Sequence, residues 1–403
     1  TGRWLTTEKD SAMIEHGASR DGTGPSEGII YDLQGPGDAP IVVMLGSLGT
    51  TTSVWDSQMP AVRPWARVLR VEYPGHGGSA VPDGEGSLGA LGERLFGLLD
   101  RLGIERASFV GLSLGGLLCM WAALKQPERV ERLVVACSTG RFNSPETYTE
   151  RAALIRERGM APIIDGTISR WFSEQFRSER PDVAARYSAM LADADPEGYA
   201  YCCEAVASAD LTRDLSHIAA PTLVVGGALD PVVTPDMAAI LSSRLNGAML
   251  CVLPGAAHLA NVAQPNAFNE ILVRHLVGSP SERGLKLRKA VLGDTHVERA
   301  LSSASEMSAD FQDVLNRWPW GEIWARPGLD RGTRRLLTIA LLVALNRPEE
   351  LEMHLRRALA DGISQADLKE LLLHCAVYAG VPAANAAFAI AERVASEQAD
   401  PAL

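Results

Sequence analysis

As far as about residue 277, short apolar runs alternate with longer amphipathic stretches; beyond it the short runs stop. Residues 29–33, 41–45, 68–72, 107–110, 133–137, 222–226 and 250–253 have the length and branched apolar content of buried strands. The unbroken apolar run at 41–45 suits a parallel sheet covered on both faces. Residues 88–101 and 114–126 read as helices, the second stopped by Pro127. Strands alternating with helices predict an α/β, doubly wound sheet. A turn is expected at Gly35-Pro36-Gly37-Asp38, and residues 1–28 carry no firm element. From about 139 to 214 the alternation gives way to helices, among them 151–158 and 196–207. Asp195 is placed to cap the latter, with Pro196 at its first position. Inserted between strands, this stretch reads as a helical lid over a site within one domain, 29–277.

A boundary is expected at Val277-Gly278-Ser279-Pro280-Ser281. Residues 283–397 then read as an all-helical domain. The 348–361 stretch is amphipathic and stops before Gly362, and Ser364-Gln365-Ala366-Asp367 looks like a helix start. That helix is expected to end at Gly380, with Pro382 opening the last one. Residues 336–345 have no polar face, and 371–373 with 376–378 are nearly as apolar. A helix apolar all round must be covered on every side. A domain of about 120 residues encloses one such helix and hardly two. The pattern therefore predicts a homo-oligomer held through the C-terminal domain.

Composition adds exclusions. The length of 403 residues favours two domains, and a net charge of -11 argues against a nucleic-acid partner. Small anionic substrates stay open, because they respond to local arginines. No run approaches the roughly 18 apolar residues of a membrane span. The six cysteines form no CxxC pair and read as free thiols of a reducing compartment, so a cytoplasmic location is expected.

The candidate chemistry starts at Gly111-Leu112-Ser113-Leu114-Gly115-Gly116, between the 107–110 strand and the 114–126 helix. A serine at a strand-turn-helix apex, with glycine two residues to either side, is a nucleophile elbow. Its hydroxyl needs a base, and the base an orienting carboxylate. Asp230 follows the 222–226 strand and His258 follows the 250–253 strand, in the order such sites use. Asp236 and Asp210 are weaker candidates for the acid, since neither directly follows a strand. His76, in a Gly-rich turn ahead of Ser113, reads as structural. The tetrahedral oxyanion wants backbone donors: Leu114 is one. The other falls on Leu48 in the loop after the 41–45 strand, with Ser47 as runner-up.

Three further runs carry a resemblance. Leu45-Gly46-Ser47-Leu48-Gly49-Thr50-Thr51-Thr52-Ser53-Val54-Trp55-Asp56, Arg170-Trp171-Phe172 and Gly198-Tyr199-Ala200-Tyr201-Cys202-Cys203-Glu204-Ala205 resemble 3-oxoadipate enol-lactonases of the α/β-hydrolase superfamily. The resemblance implies hydrolysis of an enol-lactone with an acetate side chain. That carboxylate calls for an arginine near the lid, and Arg141 is the candidate.

Residues 283–397 resemble 4-carboxymuconolactone decarboxylases of the alkylhydroperoxidase-like helical superfamily. The matching runs are Val291-Leu292-Gly293-Asp294-Thr295-His296-Val297, Trp320-Gly321-Glu322-Ile323-Trp324, Glu350-Leu351-Glu352-Met353-His354 and Tyr378-Ala379-Gly380-Val381-Pro382-Ala383-Ala384-Asn385. The redox members carry a cysteine pair where this chain has Arg347 and Glu350, which leaves acid/base chemistry. The substrate supplies its own electron sink, so neither cofactor nor metal is called for. The resemblance implies His354 as the acid and Glu350, one helical turn before it, as its orienting group. Arg334 or Arg335 is expected to grip a carboxylate, and Trp320 or Trp324 to wall the pocket; His296 and His374 read as structural. Fusion behind an enol-lactonase fits, since the decarboxylase product is the lactonase substrate. The alternatives are a general serine esterase with a non-catalytic helical oligomerisation domain, or the same fold acting on another small ester.

Overall fold

The computed structural model describes residues 28–35, 39–326 and 329–399. The expected turn at Pro36, Gly37 and Asp38 lies outside the described residues. The chain divides into two compact units, Thr1–Leu276 and Val277–Leu403.

In the first unit the seven apolar runs become seven strands: β1 Tyr31–Gln34, β2 Ile41–Leu45, β3 Arg67–Val71, β4 Ala107–Leu112, β5 Val130–Ala136, β6 Thr222–Gly227 and β7 Met249–Leu253. They form one sheet in the order β1-β3-β2-β4-β5-β6-β7. β1 pairs antiparallel with β3, Tyr31 opposite Val71, while the other neighbours are parallel. Apolar patterning reports burial and not strand direction, so this antiparallel edge had no signature of its own. β4 and β6 are buried along their whole length, and apart from Ser108 and Thr222 they carry no polar side chain.

β4 ends at Leu112 and the helix Leu114–Lys125 starts two residues later, leaving Ser113 alone at the turn. Its backbone is held at φ 57° and ψ -114°, a region non-glycine residues seldom occupy. Two bonds hold it there. The Ser113 N–H donates to the Ala136 carbonyl at 2.8 Å, and the Ser138 hydroxyl donates to the Ser113 carbonyl at 2.6 Å. Gly115 is required because a Cβ there would lie 2.2 Å from the Leu45 carbonyl oxygen.

Between β5 and β6 stand the lid helices Pro145–Arg158, Ile164–Trp171, Glu174–Glu179, Pro181–Ala192 and Pro196–Ala207. The Asp195 side chain accepts the Gly198 N–H at 2.9 Å, capping the last of them. These helices are tied to the loop that carries His258 by backbone: the Leu259 N–H donates to the Trp171 carbonyl at 3.1 Å.

The second unit is helical: Pro280–Leu292, Asp294–Ser302, Glu306–Leu315, a π-helical turn at Asn316–Trp324, then Arg331–Ala344, Pro348–Ala360, Gln365–Tyr378 and Val381–Ala399. Ser279 and Glu282 form a capping box at the first helix. Gly284 lets that helix meet the π-helical turn, since a Cβ there would sit 1.7 Å from the Asn316 carbonyl oxygen. Ile339, Val343, Leu351, Leu355 and Leu372 form the core. The apolar helix Arg331–Ala344 buries one face, Arg335, Ile339 and Val343. The opposite face leaves Leu337, Leu341 and Leu345 at 50, 61 and 65% exposure. Val377, Tyr378 and Val381 are exposed as well. Among the described residues no helix is long and apolar enough to cross a membrane.

Candidate active sites

The strained turn pushes Ser113 toward the loops that follow β6 and β7. The Ser113 hydroxyl lies 2.8 Å from Nε2 of His258, and Nδ1 of His258 lies 2.8 Å from Oδ2 of Asp230. All three are buried. The other Asp230 oxygen accepts the Val232 and Val233 N–H groups at 2.8 and 3.1 Å, which fixes the carboxylate. With Nδ1–H donated to Asp230, Nε2 is free to accept the serine proton, the arrangement a nucleophilic serine needs. Neither Asp210 nor Asp236 enters this chain of contacts; Asp210 caps its own turn at Thr212.

Leu48 and Leu114 line the same cavity, of about 360 Å³, beside Ser113 and His258. The loop that carries Leu48 is braced from behind. Its Gly49 N–H donates to Nε2 of His76 at 3.0 Å, and the Thr52 N–H donates to Glu72 at 2.7 Å. His76 sends its other ring nitrogen to the Pro74 carbonyl at 2.8 Å, and burial pushes its pKa down to about 4. It is neutral and serves as an acceptor, and it takes no part in the Ser113–His258–Asp230 contacts. Burial, outweighing the Thr52 bond, raises the Glu72 pKa.

Arg141 does not reach the cavity. It is exposed and pairs with the equally exposed Asp210 at 3.3 Å. The cavity is lined instead by Arg151 from the helix Pro145–Arg158 and Arg170 from Ile164–Trp171, with Tyr148 and Tyr199. Arg151 lies 5.2 Å over the Tyr148 ring, and Arg170 donates to the Thr167 hydroxyl at 3.0 Å. Burial and then the Arg151 charge lower the Arg170 pKa. Among the described residues no carboxylate offsets either cation. Two half-buried guanidiniums so placed favour an anion. The sequence did hold a signal: Arg151 sits in the stripe Tyr148, Ala152, Ile155 that turns inward.

In the second unit, Trp320 and Trp324 meet tilted with ring centroids 4.9 Å apart, and the Trp324 ring stacks over His354 at 6.5 Å. Of the two arginines, Arg335 points inward and is buried. Its Nη2 donates to Asp361 at 2.7 Å and to the Val291 carbonyl at 3.0 Å. Arg334 instead donates to the Arg326 and Leu329 carbonyls. Burial, then the Arg335 charge, lowers the His354 pKa to about 4; Glu350 opposes this and His296 adds to it. Glu350 is exposed and acts through space, so the expected orienting hydrogen bond is replaced by a field effect. His296 is likewise exposed and lies within electrostatic reach of His354. Among the described residues, Nδ1 of His354 and Nη1 of Arg335 are buried without a hydrogen-bond partner.

The fold now meets known proteins. Residues 40–265 match the family described as alpha/beta hydrolase fold, and residues 309–393 match the carboxymuconolactone decarboxylase family. Similarity to the 4-carboxymuconolactone decarboxylase of Acinetobacter baylyi is 51% identity over 113 residues, 28% of this chain and 84% of that protein. The chain belongs to both families, one in each unit. The hydrolase unit is 38% identical over 239 residues to 3-oxoadipate enol-lactonase 2 of Acinetobacter baylyi, covering 59% of this chain and 89% of that one. Among solved structures, the enol-lactonase from Burkholderia xenovorans LB400 matches at a TM-score of 0.60 and 36% identity, over 62% of this chain and 96% of that one.

Proposed function

We propose that the chain carries out two consecutive reactions. The second unit removes CO2 from 4-carboxymuconolactone, and the first hydrolyses the resulting 3-oxoadipate enol-lactone to 3-oxoadipate. In the hydrolysis, Ser113 attacks the lactone carbonyl as His258 takes its proton, and Asp230 stabilises the imidazolium. Backbone N–H groups of Leu48 and Leu114 receive the oxyanion. The ring opens, the enolate leaves and takes up the proton held on His258 to become a ketone, and water, deprotonated by His258, then releases the acyl group from Ser113. Arg151 and Arg170 hold the acetate carboxylate. The observation that carries this reading is the pair of unopposed guanidiniums beside a complete serine triad. A general esterase has no use for them.

In the decarboxylation, electrons of the breaking C–CO2 bond run through the ring double bond to the lactone carbonyl. Arg335 supplies the cation, His354 the acid, Trp320 and Trp324 the wall, and Glu350 biases His354 toward its charged form. The test is to feed 4-carboxymuconolactone and follow CO2 and 3-oxoadipate together. Ser113→Ala should stop 3-oxoadipate while CO2 continues; the loss of both in a folded variant would refute two independent sites.

The same reading includes self-association. The leucines Leu337, Leu341 and Leu345 form one exposed face, and Val377, Tyr378 and Val381 are exposed too. A second copy of the chain covers such a surface and makes a homo-oligomer through the helical unit.

A further inference from the structure

The decarboxylation consumes a proton. A lactone bearing two carboxylates enters as a dianion, and a monoanion and neutral CO2 leave. One proton must therefore reach the ring carbon beside the lactone carbonyl.

The resting site does not hold that proton. His354 is 6% exposed and lies under the Trp324 ring. Three charged or titratable groups act on it: Arg335 from Arg331–Ala344, His296 from Asp294–Ser302, and Glu350 from its own helix. Arg335 in turn feels Asp361, Arg357 and Arg331. Burial and the Arg335 guanidinium outweigh Glu350, and the imidazole stays neutral. Yet Arg335, only 2% exposed, keeps Nη1 without a partner among the described residues, as His354 keeps Nδ1. Buried donors left unmade are costly, and a native site retains them where a ligand completes them. An anion bound there satisfies Nη1, cancels the charge that opposes His354, and brings its own negative charge alongside. All three changes favour the imidazolium.

On the reading that this unit decarboxylates a dianionic lactone, we propose that binding draws one proton from solvent onto His354, and that His354 delivers it to the ring carbon next to the lactone carbonyl. The C–CO2 bond breaks and its pair forms a new ring double bond, while the old double bond shifts to make the dienolate. The proton on His354 then forms the new C–H bond. CO2 departs, the double bond rests beside the ring oxygen, and His354 is neutral again. Arg335 suits the acetate carboxylate or the dienolate oxygen better than the leaving carboxylate, whose loss a cation would oppose.

Two measurements test this on the full chain. If the acid is charged only by binding, kcat/KM for CO2 release falls about tenfold per pH unit across roughly pH 5 to 8, because the free group is already neutral. The second uses the saturated dicarboxylate lactone, which lacks the electron sink, with a Ser113→Ala chain. Its binding heat in two buffers of different protonation enthalpy should report uptake of about one proton near neutral pH, and His354→Gln should bring that to near zero. CO2 release with a flat kcat/KM profile, or uptake unchanged by His354→Gln, overturns the proposal alone. No CO2 release by the unmodified chain overturns the functional reading beneath it.

Discussion

Arg151→Gln separates an anion-binding lactonase from a general esterase. Arg151 lines the cavity that holds Ser113, lies 5.2 Å over the Tyr148 ring, and has no opposing carboxylate among the described residues. Glutamine keeps much of the volume and a donor, and removes the charge. A hydrogen bond to a charged group contributes about 1.5–3 kcal/mol. In rate terms that is roughly a 10- to 150-fold loss in kcat/KM. Arg170, the more open of the two, should fall at or below the low end of that range. The loss should appear mainly in KM, because the carboxylate is equally charged in the ground and transition states. The assay compares the enol-lactone with p-nitrophenyl acetate, which carries no carboxylate. The lactone should suffer and the acetate ester should not. Equal losses on both would mean that Arg151 only supports the lid, and the anion argument would fail.

Two further outcomes are expected. His76 has its pKa lowered by burial from 6.5 to about 4, so below 6.5 the unfolded chain takes up a proton that the folded one refuses. Stability should therefore fall as pH drops from about 6.5 to 4, by about 3 kcal/mol from this residue. Unfolding midpoints of the intact protein and of His76→Gln check it: the variant should lose that slope, and parallel curves would refute it. Leu341→Glu puts a charge on the exposed leucine face, where each buried leucine contributes about 1.5–3 kcal/mol. Light scattering should show a smaller assembly with lactonase activity retained; an unmodified protein that is already a single chain would refute self-association.

Much of the hydrolase unit was legible because its chemistry is local. The elbow needs glycine at 115 for lack of space, and Asp230 and His258 each follow a strand, the buried β6 and the more exposed edge strand β7. The arginines were not legible in the same way. Which arginine enters a cavity depends on how a lid helix is rotated, and Arg141, five residues past the end of β5, pairs with Asp210 at the surface. In the helical unit, spacing placed Glu350 and His354 on one face, yet could not say that one is exposed and the other buried. Arg334 and Arg335 show the same limit. Adjacent helical residues point about 100° apart, so only the packed helix decides which of them is inside.

The two sites share an electrostatic problem, and the chemistry of the substrates explains why. The acetate carboxylate survives both steps: it is present on the dianionic lactone, on the enol-lactone and on the open product. On the proposed reading, each unit offers guanidinium donors to that carboxylate, Arg151 and Arg170 in one and Arg335 in the other. What differs is what must not be stabilised. In the hydrolase no carboxylate is lost, so two cations can crowd one small cavity. In the decarboxylase a second cation on the leaving carboxylate would slow the reaction. There the aromatic pair Trp320 and Trp324 stands beside His354, with Arg335 the single buried cation among the residues assigned to that site. An added cation on that aromatic wall should therefore tighten binding of the lactone while slowing loss of CO2.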